Sequence, residues 1–456
     1  MIQANKKREP MPKFNTLPLP EEMLTNLDQL GYHDMTAIQE KSLPLSLEGK
    51  DIIAQAKTGS GKTAAFGIGL LLKINVSKFH PQALIITPTR ELAEQVAKEL
   101  RKLARFKHNI KILTLYGGTP MRHQINSLEH GAHIVVGTPG RIRDHLSKST
   151  LELRHIHTVV LDEADRMLDM GFSEEIDKIL ADTPKKRQTL LFSATFTDDI
   201  KSLCHAVTNE AQEVKVDTTH DSSNIEEIYY EVEKGYKFES FIKVLQFHKP
   251  ASTIVFCNMK LDVDDIAADL QDAGFSALGL HGDLEQVDRD ETLLQFGNKS
   301  CAILVATDVA ARGLDIPDVD IVVNYDLPRN DETYTHRIGR TGRAGKSGKA
   351  LSLTHQKIAN TNSFSVRDLD VDESIMIGSK MKTLCIHGGK KNKLRAGDVL
   401  GALTAKKSID ASAIGKIDSF PFYTYVAVEK GVAKRALDLL KNEKIKGKKF
   451  KAWMIQ

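Results

Sequence analysis

The chain has 456 residues, more than one hydrophobic core normally holds, so we expect two or three domains. Its composition is that of a soluble globular protein, with no apolar run of bilayer length and no apolar centre of a signal peptide, so we expect a cytoplasmic protein without a membrane partner. Its cysteines are not paired in sequence, so we expect neither a disulfide framework nor a zinc site. The net charge of +3 is unevenly distributed: residues 380–456 carry 18 Lys/Arg against 6 Asp/Glu, a net charge of +12, which leaves −9 for the rest of the chain. This contrast predicts a basic C-terminal module that binds nucleic acid; a lysine-rich domain that is merely solvated is the alternative.

The first predicted helix spans residues 21–30 and ends at Gly31. Two residues suited to a nucleotide base follow it. Tyr32 could stack on an adenine and Gln39 could hydrogen-bond to its edge. Taken alone, such residues are more often packing and surface groups.

The next stretch combines a short apolar strand at 52–54, a glycine-rich turn and a helix predicted over 64–72. Backbone N–H groups in such a turn bind phosphate together with the positive end of the helix dipole. Lys62 is placed to reach the β/γ-phosphates and Thr63 to hold Mg²⁺, which predicts ATP and Mg²⁺ as cofactors. Ala56 stands where the motif has its first glycine and fits there if its φ is negative; a chance glycine turn is the alternative. The nucleotide-binding residues predicted here are Ala56, Lys57, Thr58, Gly59, Ser60, Gly61, Lys62 and Thr63.

Short apolar runs then alternate with amphipathic helices, which predicts a parallel sheet covered on both faces. The predicted strands are 83–87, 111–115, 133–136, 158–161 and 189–192. A polar motif follows each strand, and ligands bind beyond the carboxyl ends of strands in such sheets. Asp162 and Glu163 are suited to hold magnesium and to orient or deprotonate an attacking water, although a lone acidic cluster is more often a helix cap.

A second series of strands is predicted over 225–232, 253–257, 277–280, 302–306 and 321–324, without a phosphate loop of its own. We therefore expect this domain to complete the ATP site of the first one. Arg337, Arg340 and Arg343 lie within eight positions, and the planar guanidinium fork binds phosphate oxygens in pairs. A surface run of arginines is the alternative.

Beyond residue 380 the pattern predicts strand, helix, two strands, helix and strand, an order that resembles RNA-recognition-motif (RRM) folds. The aromatic spacing that such folds carry on their central strands is absent. We therefore expect RNA to be held by basic segments, at 444–451 and at Lys390, Lys391, Lys393 and Arg395.

From about residue 14 to residue 353, these motifs resemble, in order, those of the DEAD-box family of ATP-dependent RNA helicases, whose name-giving tetrapeptide is Asp162–Asp165 here. The resemblance implies an α/β fold with two tandem RecA-like parallel-sheet domains at 1–208 and 223–356, linkers at 209–222 and 357–379, and an RRM-like α+β domain at 380–456. It implies that adenine is recognised by Phe14, Tyr32 and Gln39 and that the ribose is contacted by Asp315. The implied catalytic residues are Lys62, Glu163, Arg340 and Arg343. Thr63 and Asp162 are implied to bind magnesium, largely through water, and Ser193 and Thr195 are implied to couple ATP hydrolysis to strand separation. The implied RNA contacts of the two core domains are Pro88, Thr89, Arg90, Gly117, Gly118, Thr138, Gly140, Arg141, Asn258, Arg289 and Thr307.

Resemblance over the whole chain to a bacterial branch of the family implies an RNA-stimulated ATPase that unwinds short duplexes locally and non-processively. It further implies targeting by the C-terminal domain to a hairpin of 23S ribosomal RNA, with pre-ribosomal large-subunit particles as partners. An ATP-gated RNA clamp without significant unwinding and a DNA translocase stay open as alternatives, and the oligomeric state is not predicted.

Overall fold

The computed structural model describes residues 12–56, 60–216, 224–311, 318–342, 347–356, 361–405 and 408–455, without the side chain of residue 332. The chain forms two compact units. One unit holds the first sheet, and the other holds the second and third sheets. The expected α/β architecture, with two RecA-like domains and a small C-terminal domain, is confirmed.

The first sheet has seven parallel strands in the order β3-β4-β2-β5-β6-β1-β7. Its strands are β1 (Ile52–Gln55), β2 (Ala83–Ile86), β3 (Ile112–Leu115), β4 (Ile134–Gly137), β5 (Thr158–Asp162), β6 (Gln188–Ser193) and β7 (Gln212–Lys215). The helices of this unit are α1 (Glu21–Gln29), α2 (Ala37–Leu47), α3 (Lys62–Leu72), α4 (Arg90–Leu103), α5 (Met121–Glu129), α6 (Pro139–Ser147), α7 (Ala164–Asp169), α8 (Ser173–Ala181) and α9 (Asp198–Val207).

The apolar runs of the strands follow from burial on both faces of this sheet. In β2, Ala83 and Ile85 belong to one hydrophobic core, while Leu84 and Ile86 belong to the core on the opposite face. Successive side chains of a strand point to opposite faces, so a strand covered on both sides must be apolar throughout.

The second sheet also has seven parallel strands, in the order β10-β11-β9-β12-β13-β8-β14. Its strands are β8 (Ile225–Glu231), β9 (Thr253–Cys257), β10 (Ala277–Leu280), β11 (Ile303–Thr307), β12 (Ile321–Asn324), β13 (Gly348–Thr354) and β14 (Ser363–Ser365). The helices are α10 (Lys237–His248), α11 (Lys260–Asp272), α12 (Gln286–Gly297), α13 (Asp308–Ala311) and α14 (Asp331–Ile338).

The third sheet is antiparallel, in the order β16-β17-β15-β18. Its strands are β15 (Met381–Ile386), β16 (Ile414–Ser419), β17 (Thr424–Glu429) and β18 (Ala452–Met454), and its helices are α15 (Ala396–Thr404) and α16 (Ala433–Asn442). Leu384, Val426 and Leu440 lie in the core between the sheet and these helices.

Three strands occur where the pattern predicts none. Strand β7 lies inside the predicted linker 209–222, and β14 lies inside the predicted linker 357–379. Both are edge strands, and in β7 only Val214 is buried, so no apolar run marks them. Strand β13 follows a segment rich in glycine and lysine, and its polar residues Lys349 and Ser352 interrupt the apolar pattern.

One end of the third sheet packs against the second domain within the same unit. The Met381 N–H donates to the carbonyl of Lys299 at 3.2 Å. Asn298 Nδ2 donates to Thr383 Oγ1 at 2.9 Å, and this buried hydroxyl donates to Ser300 Oγ at 2.8 Å. Buried polar groups that satisfy one another in this way hold two surfaces in one register.

All four cysteines are buried free thiols. Among the helices of the described ranges, none has both the length and the apolar character needed to cross a membrane.

Candidate active site and nucleic-acid interface

The predicted phosphate loop lies between the end of β1 and the start of α3. Gly61 caps α3 in the left-handed region, with φ of 89°. A Cβ at this position would also lie 2.5 Å from Gln39 Nε2, so only glycine fits. Ala56 has no positive φ, and its N–H donates to the Ser193 carbonyl at 2.9 Å. Lys57, Thr58 and Gly59 lie outside the described residues.

Residues 36 and 39 hold the loop from the side. Thr36 Oγ1 donates to the Ser60 carbonyl at 2.8 Å, and Gln39 Nε2 donates to the Gly61 carbonyl at 3.1 Å. The Gln39 Oε1 atom accepts from the Thr36 N–H at 2.9 Å, which completes a capping box at the start of α2. Besides its predicted adenine contact, Gln39 therefore supports the loop, a link between positions 22 residues apart that no local pattern indicates.

The two aromatic residues of the predicted adenine set are neighbours. The rings of Phe14 and Tyr32 meet edge to face, with 6.3 Å between their centroids. The Tyr32 hydroxyl donates to Glu99 Oε1 at 2.6 Å, and burial together with this carboxylate raises the pKa of Tyr32. The neutral phenol therefore fixes the ring beside α4.

Lys62 and Asp162 form a buried ion pair at the centre of the site. Lys62 Nζ lies 3.4 Å from Asp162 Oδ1, but the geometry makes no hydrogen bond, and neither atom has another partner among the described residues. Burial raises the pKa of Asp162; burial alone would lower that of Lys62, but the carboxylates of Asp162, Glu163 and Asp165 together raise it. A buried ammonium and a carboxylate oxygen without hydrogen bonds fit a phosphate and a hydrated magnesium ion. Thr63, in the first turn of α3, offers the neighbouring hydroxyl.

Glu163 has a strained backbone, with φ of 54° and ψ of 53° at the N-cap of α7. Left-handed non-glycine residues cost of order 1–3 kcal/mol and cluster at functional sites. The Glu163 carboxylate accepts from Arg166 Nη1 at 3.2 Å, and both residues are buried. The turn thus places a second carboxylate next to Asp162 at the carboxyl end of β5.

Asp165 connects this acidic motif to the one after β6. Its Oδ2 atom accepts from the N–H groups of Ala194 and Thr195 at 2.9 and 3.0 Å, and from Thr195 Oγ1 at 3.3 Å. The Ser193 hydroxyl is buried without a partner among the described residues. Of the two predicted coupling residues, Thr195 is therefore bonded directly to the acidic motif, because β5 and β6 are neighbours in the sheet.

Replacing Asp165 by Ala tests this link. We expect strand separation per ATP hydrolysed to fall at least about tenfold, because the change removes three hydrogen bonds to residues 194 and 195 and a single charge-assisted hydrogen bond is worth roughly 1.5 kcal/mol. The measurement is phosphate release beside unwinding of a labelled duplex, with the exposed Asp182→Ala as the control in the same domain. An unchanged ratio of unwinding to hydrolysis would contradict the coupling role.

The RNA-contact residues predicted for the first domain gather at the ends of β2, β3 and β4. The Arg90 guanidinium lies so close to Gly117 and Gly118 that a Cβ at Gly118 would clash with it. Arg141 Nη1 donates to the Thr119 carbonyl at 3.1 Å and to Gln124 Oε1 at 3.0 Å. The remaining predicted contacts sit beside them: Pro88 precedes Thr89, the N-cap of α4; Thr138 caps α6; and Gly140 is exposed.

The strand order separates the two predicted ligands. The residues predicted for phosphate, magnesium and coupling lie at the ends of β1, β5 and β6, whereas the predicted RNA contacts lie at the ends of β3, β4 and β2. Each set of three strands is contiguous in the sheet. Both sets share one edge because the strands are parallel.

The second sheet repeats this arrangement. Asn258 follows β9, Thr307 ends β11, and Arg289 lies on α12 after β10, and these three strands are neighbours. Arg289 Nη1 donates to the His281 carbonyl at 3.2 Å. The predicted RNA contacts of this domain therefore meet at the end of one half of its sheet.

Arg337 organises this group, a role that the run of arginines at 337, 340 and 343 does not predict. Its Nε and Nη2 atoms each donate to the Asp308 carboxylate at 2.7 Å, and Nη2 also donates to Asn258 Oδ1 at 2.9 Å. A further bond of 3.2 Å joins Nη1 to Asn324 Oδ1. Only 1% of Arg337 is exposed, so it is a buried tie between the segments after β9, β11 and β12. The arginine run indicates only a residue type, because the partners of Arg337 lie 11 to 79 positions away.

We expect Arg337→Lys to destabilise the second domain by about 3 kcal/mol, because a lysine cannot reproduce the bidentate fork and leaves buried polar partners unpaired. Urea denaturation followed by circular dichroism measures the loss. The exposed Arg367, which pairs with Glu233, provides Arg367→Lys as the control. An unfolding midpoint equal to that of the parent chain would contradict the structural role.

Arg340 is buried, and its carbonyl accepts from the Val319 N–H at 3.1 Å. Arg343 and Asp315, the other residues predicted to reach ATP from this domain, lie outside the described residues.

The basic candidates of the C-terminal domain are all exposed: Lys390, Lys391, Lys393 and Arg395. Their loop is fixed by the next hairpin, since the Lys390 N–H donates to the Phe420 carbonyl at 2.8 Å and the Lys391 N–H to that of Pro421 at 3.0 Å. Within the ranges that the structure describes, no group of three or more His, Cys, Asp or Glu side chains is placed to hold a metal ion alone.

Three family models match the chain: "DEAD/DEAH box helicase" at residues 36–203, "Helicase conserved C-terminal domain" at 236–345 and "DbpA RNA binding domain" at 383–453. The ATP-dependent RNA helicase DbpA of Escherichia coli is 49% identical over 96% of this chain and 98% of its own length. The DEAD-box ATP-dependent RNA helicase CshA of Geobacillus kaustophilus is 48% identical over 73% of this chain and 71% of its own. Among solved structures, Dbp5 of S. cerevisiae bound to RNA and ADP BeF3 matches with a TM-score of 0.70 at 31% identity, over 78% of this chain and 96% of that one.

Proposed function

The chain belongs to the DEAD-box family of ATP-dependent RNA helicases, and from that premise we propose how its parts act. It is an ATP-hydrolysing RNA helicase. We propose that it unwinds short duplexes locally and non-processively, and that its C-terminal domain directs it to a hairpin of 23S ribosomal RNA during assembly of the large ribosomal subunit. The observation that carries this proposal is an RNA binding domain match at 383–453 within a segment of net charge +12.

In the proposed reaction, Lys62 binds the β/γ-phosphates and the loop donates backbone N–H groups to them. Thr63 and Asp162 would hold Mg²⁺, largely through water, and the bound ion would neutralise charge on the phosphate oxygens. Glu163 orients and deprotonates the attacking water. The support is local: Lys62 Nζ and Asp162 Oδ1 are buried and make no hydrogen bond within the described part of the chain.

The other nucleotide contacts are proposals of the same kind. Phe14, Tyr32 and Gln39 recognise the adenine, and Asp315 contacts the ribose. Arg340 and Arg343 stabilise the charge that develops on the transferred phosphoryl group.

We propose that RNA is bound at the carboxyl ends of β2, β3 and β4 in the first sheet and of β9, β10 and β11 in the second. The groups there are mainly glycines, small polar side chains and arginines, which bind phosphates and sugars and so position RNA without reading its bases. The contact of Asp165 with residues 194 and 195 supports a route by which ATP hydrolysis reaches strand separation.

Turnover and strand separation measured together test the function. We expect a 23S ribosomal RNA fragment to stimulate ATP hydrolysis more than an unrelated hairpin of equal length, and a duplex tethered to that fragment to be separated. Charge reversal at Lys390, Lys391 and Lys393 should remove the preference while leaving RNA-independent turnover unchanged. Deleting 380–456 is a less clean test, because it would leave Asn298 and Ser300 without their buried partner Thr383.

Other outcomes decide against the proposal. Equal stimulation by all RNAs contradicts targeting, and turnover without strand separation favours the ATP-gated clamp. Stimulation by DNA as strong as that by RNA favours a DNA translocase.

The remaining proposals concern the cell. We propose that the enzyme is cytoplasmic and associates with pre-ribosomal large-subunit particles. We also propose that its domains span residues 1–208, 223–356 and 380–456. Sedimentation of a tagged chain with large-subunit precursors tests the association, and its presence only in ribosome-free fractions would contradict it.

A further inference from the structure

Gln124 is a buried polar residue of α5 that stands outside the predicted RNA contacts, and only 6% of it is exposed. Its Nε2 atom donates to the Tyr116 carbonyl at 2.9 Å and to Thr119 Oγ1 at 2.8 Å. Its Oε1 atom accepts from Arg141 Nη1 at 3.0 Å and lies 2.9 Å from His145 Nε2. The amide therefore joins the loop after β3 to helix α6.

The partners of this amide fix its orientation. A guanidinium only donates hydrogen bonds and a carbonyl only accepts them, so the Gln124 oxygen must face Arg141 and its nitrogen must face Tyr116. A flipped amide would place N–H groups against the N–H groups of Arg141. Both donors and both lone pairs of the amide have partners, and a buried polar group satisfied in this way is held in one position.

His145, on α6, supports the amide from the other side. The residue is completely buried, and burial together with the nearby Arg141 cation lowers the pKa of its ring, which is therefore neutral at neutral pH. Because Gln124 Oε1 only accepts, His145 Nε2 must carry the proton and donate it. His145 Nδ1 then accepts from Thr150 Oγ1 at 2.8 Å.

Arg141, the predicted RNA contact, is the residue on which this network converges. Its Nη1 atom donates to Gln124 and, at 3.1 Å, to the Thr119 carbonyl. Its Nε atom is buried and lies 3.6 Å from Asp144 Oδ2 without a hydrogen bond among the described residues. The Arg141 side chain is 14% exposed, so most of the guanidinium is enclosed and Nη2 is left to meet a phosphate oxygen.

We infer that Gln124 and His145 are positioning residues for RNA binding, which hold the Arg141 guanidinium with Nη2 toward the RNA backbone. This inference rests on the proposed RNA-binding function and adds to it two residues that are themselves buried. A free arginine side chain loses rotamer freedom when a ligand orders it, and this loss weakens binding. An arginine that is already fixed binds phosphate without that loss.

The test uses the full chain and a labelled oligouridine of about ten nucleotides, a length within the range that single-strand surfaces cover. Anisotropy in the presence of ADP and beryllium fluoride gives the RNA dissociation constant. Phosphate release at saturating RNA gives the maximal rate of ATP hydrolysis. Urea denaturation followed by circular dichroism shows whether each variant is folded.

We expect Gln124→Leu to raise the RNA dissociation constant about tenfold, since a hydrogen bond to a charged group is lost, while the maximal rate stays within a few-fold of the parent. His145→Phe keeps a ring but removes its nitrogens, and we expect a rise of about threefold, because the lost hydrogen bond joins neutral groups. The exposed Asn126 of the same helix supplies Asn126→Leu as the control, with parental affinity expected.

A double-mutant cycle shows whether the effect passes through Arg141. When Gln124→Leu is added to Arg141→Ala, the dissociation constant should change less than about twofold, because no guanidinium is left to position. A residue with a merely structural role would lower the urea midpoint and leave RNA affinity unchanged in the folded protein.

Parental RNA affinity in folded Gln124→Leu and His145→Phe overturns the positioning role and leaves the RNA-binding function standing. A full tenfold loss in the Arg141→Ala background also overturns it. If Gln124→Leu does not fold, His145→Phe decides by the same comparison, alone and in the Arg141→Ala background. Failure of the parent chain to bind any RNA would instead overturn the proposed function on which the inference rests.

Discussion

Glu163→Gln is expected to lower the maximal rate of ATP hydrolysis by about 10²- to 10⁴-fold, the usual contribution of a positioned general base. The amide keeps the size of the side chain and can still accept from Arg166, which lies 3.2 Å away, so the strained turn should persist. ATP binding should stay within a few-fold of the parent, because Lys62 and the loop are untouched. Phosphate release at saturating ATP and RNA, together with equilibrium binding of a fluorescent nucleotide, measures both effects.

The control is Glu152→Gln, which neutralises an exposed carboxylate of the same domain that is paired with the exposed Arg154 at 2.7 Å. Its turnover should equal that of the parent. Near-normal turnover in Glu163→Gln would remove this residue from the base role. Loss of nucleotide binding would show that it acts on affinity instead.

Replacing Arg340 or Arg343 by Ala is expected to lower turnover by about 10³-fold or more, the contribution that arginine fingers make in related phosphoryl transfers. Nucleotide binding should persist, since the phosphate loop belongs to the other α/β domain. Lysine at either position should restore little activity, because a point charge lacks the planar two-pronged donor. RNA-stimulated phosphate release and nucleotide affinity, measured for all four variants, test the roles.

Arg340 is buried, so its variants also require a check of folding by circular dichroism and urea denaturation. The exposed Arg329 in the same domain provides Arg329→Ala as the control. If both alanine variants fold and hydrolyse ATP within a few-fold of the parent rate, the arginine-finger roles are wrong.

Much of the fold could be predicted because its signals are local. The apolar runs that form β2, β5 and β9 are short and uninterrupted, as burial on both sheet faces requires. The apolar pattern does not predict β7 and β14, because an edge strand buries few side chains and so leaves no such run. Pairing with a neighbour, which only the assembled sheet supplies, is what makes them strands.

The candidate sites likewise contain some features that the sequence predicts and others that only the folded structure shows. The glycine turn before Lys62 and the carboxylates after β5 are contiguous segments whose chemistry can be read directly from residue type and spacing. The contacts of Gln39 with Gly61 and of Asp165 with Thr195 join segments 22 and 30 residues apart, and no periodicity encodes such distances.

The sequence by itself determined the chemistry: a phosphate loop, paired carboxylates, clustered arginines and a basic C-terminal module. Tertiary structure alone decided which of these groups meet, because strand order in a parallel sheet is independent of chain order. That order separates the residues predicted to serve ATP hydrolysis at β5, β6 and β1 from the residues predicted to contact RNA at β3, β4 and β2, makes Arg337 a buried tie, and gathers residues 387, 423 and 453 into one aromatic surface.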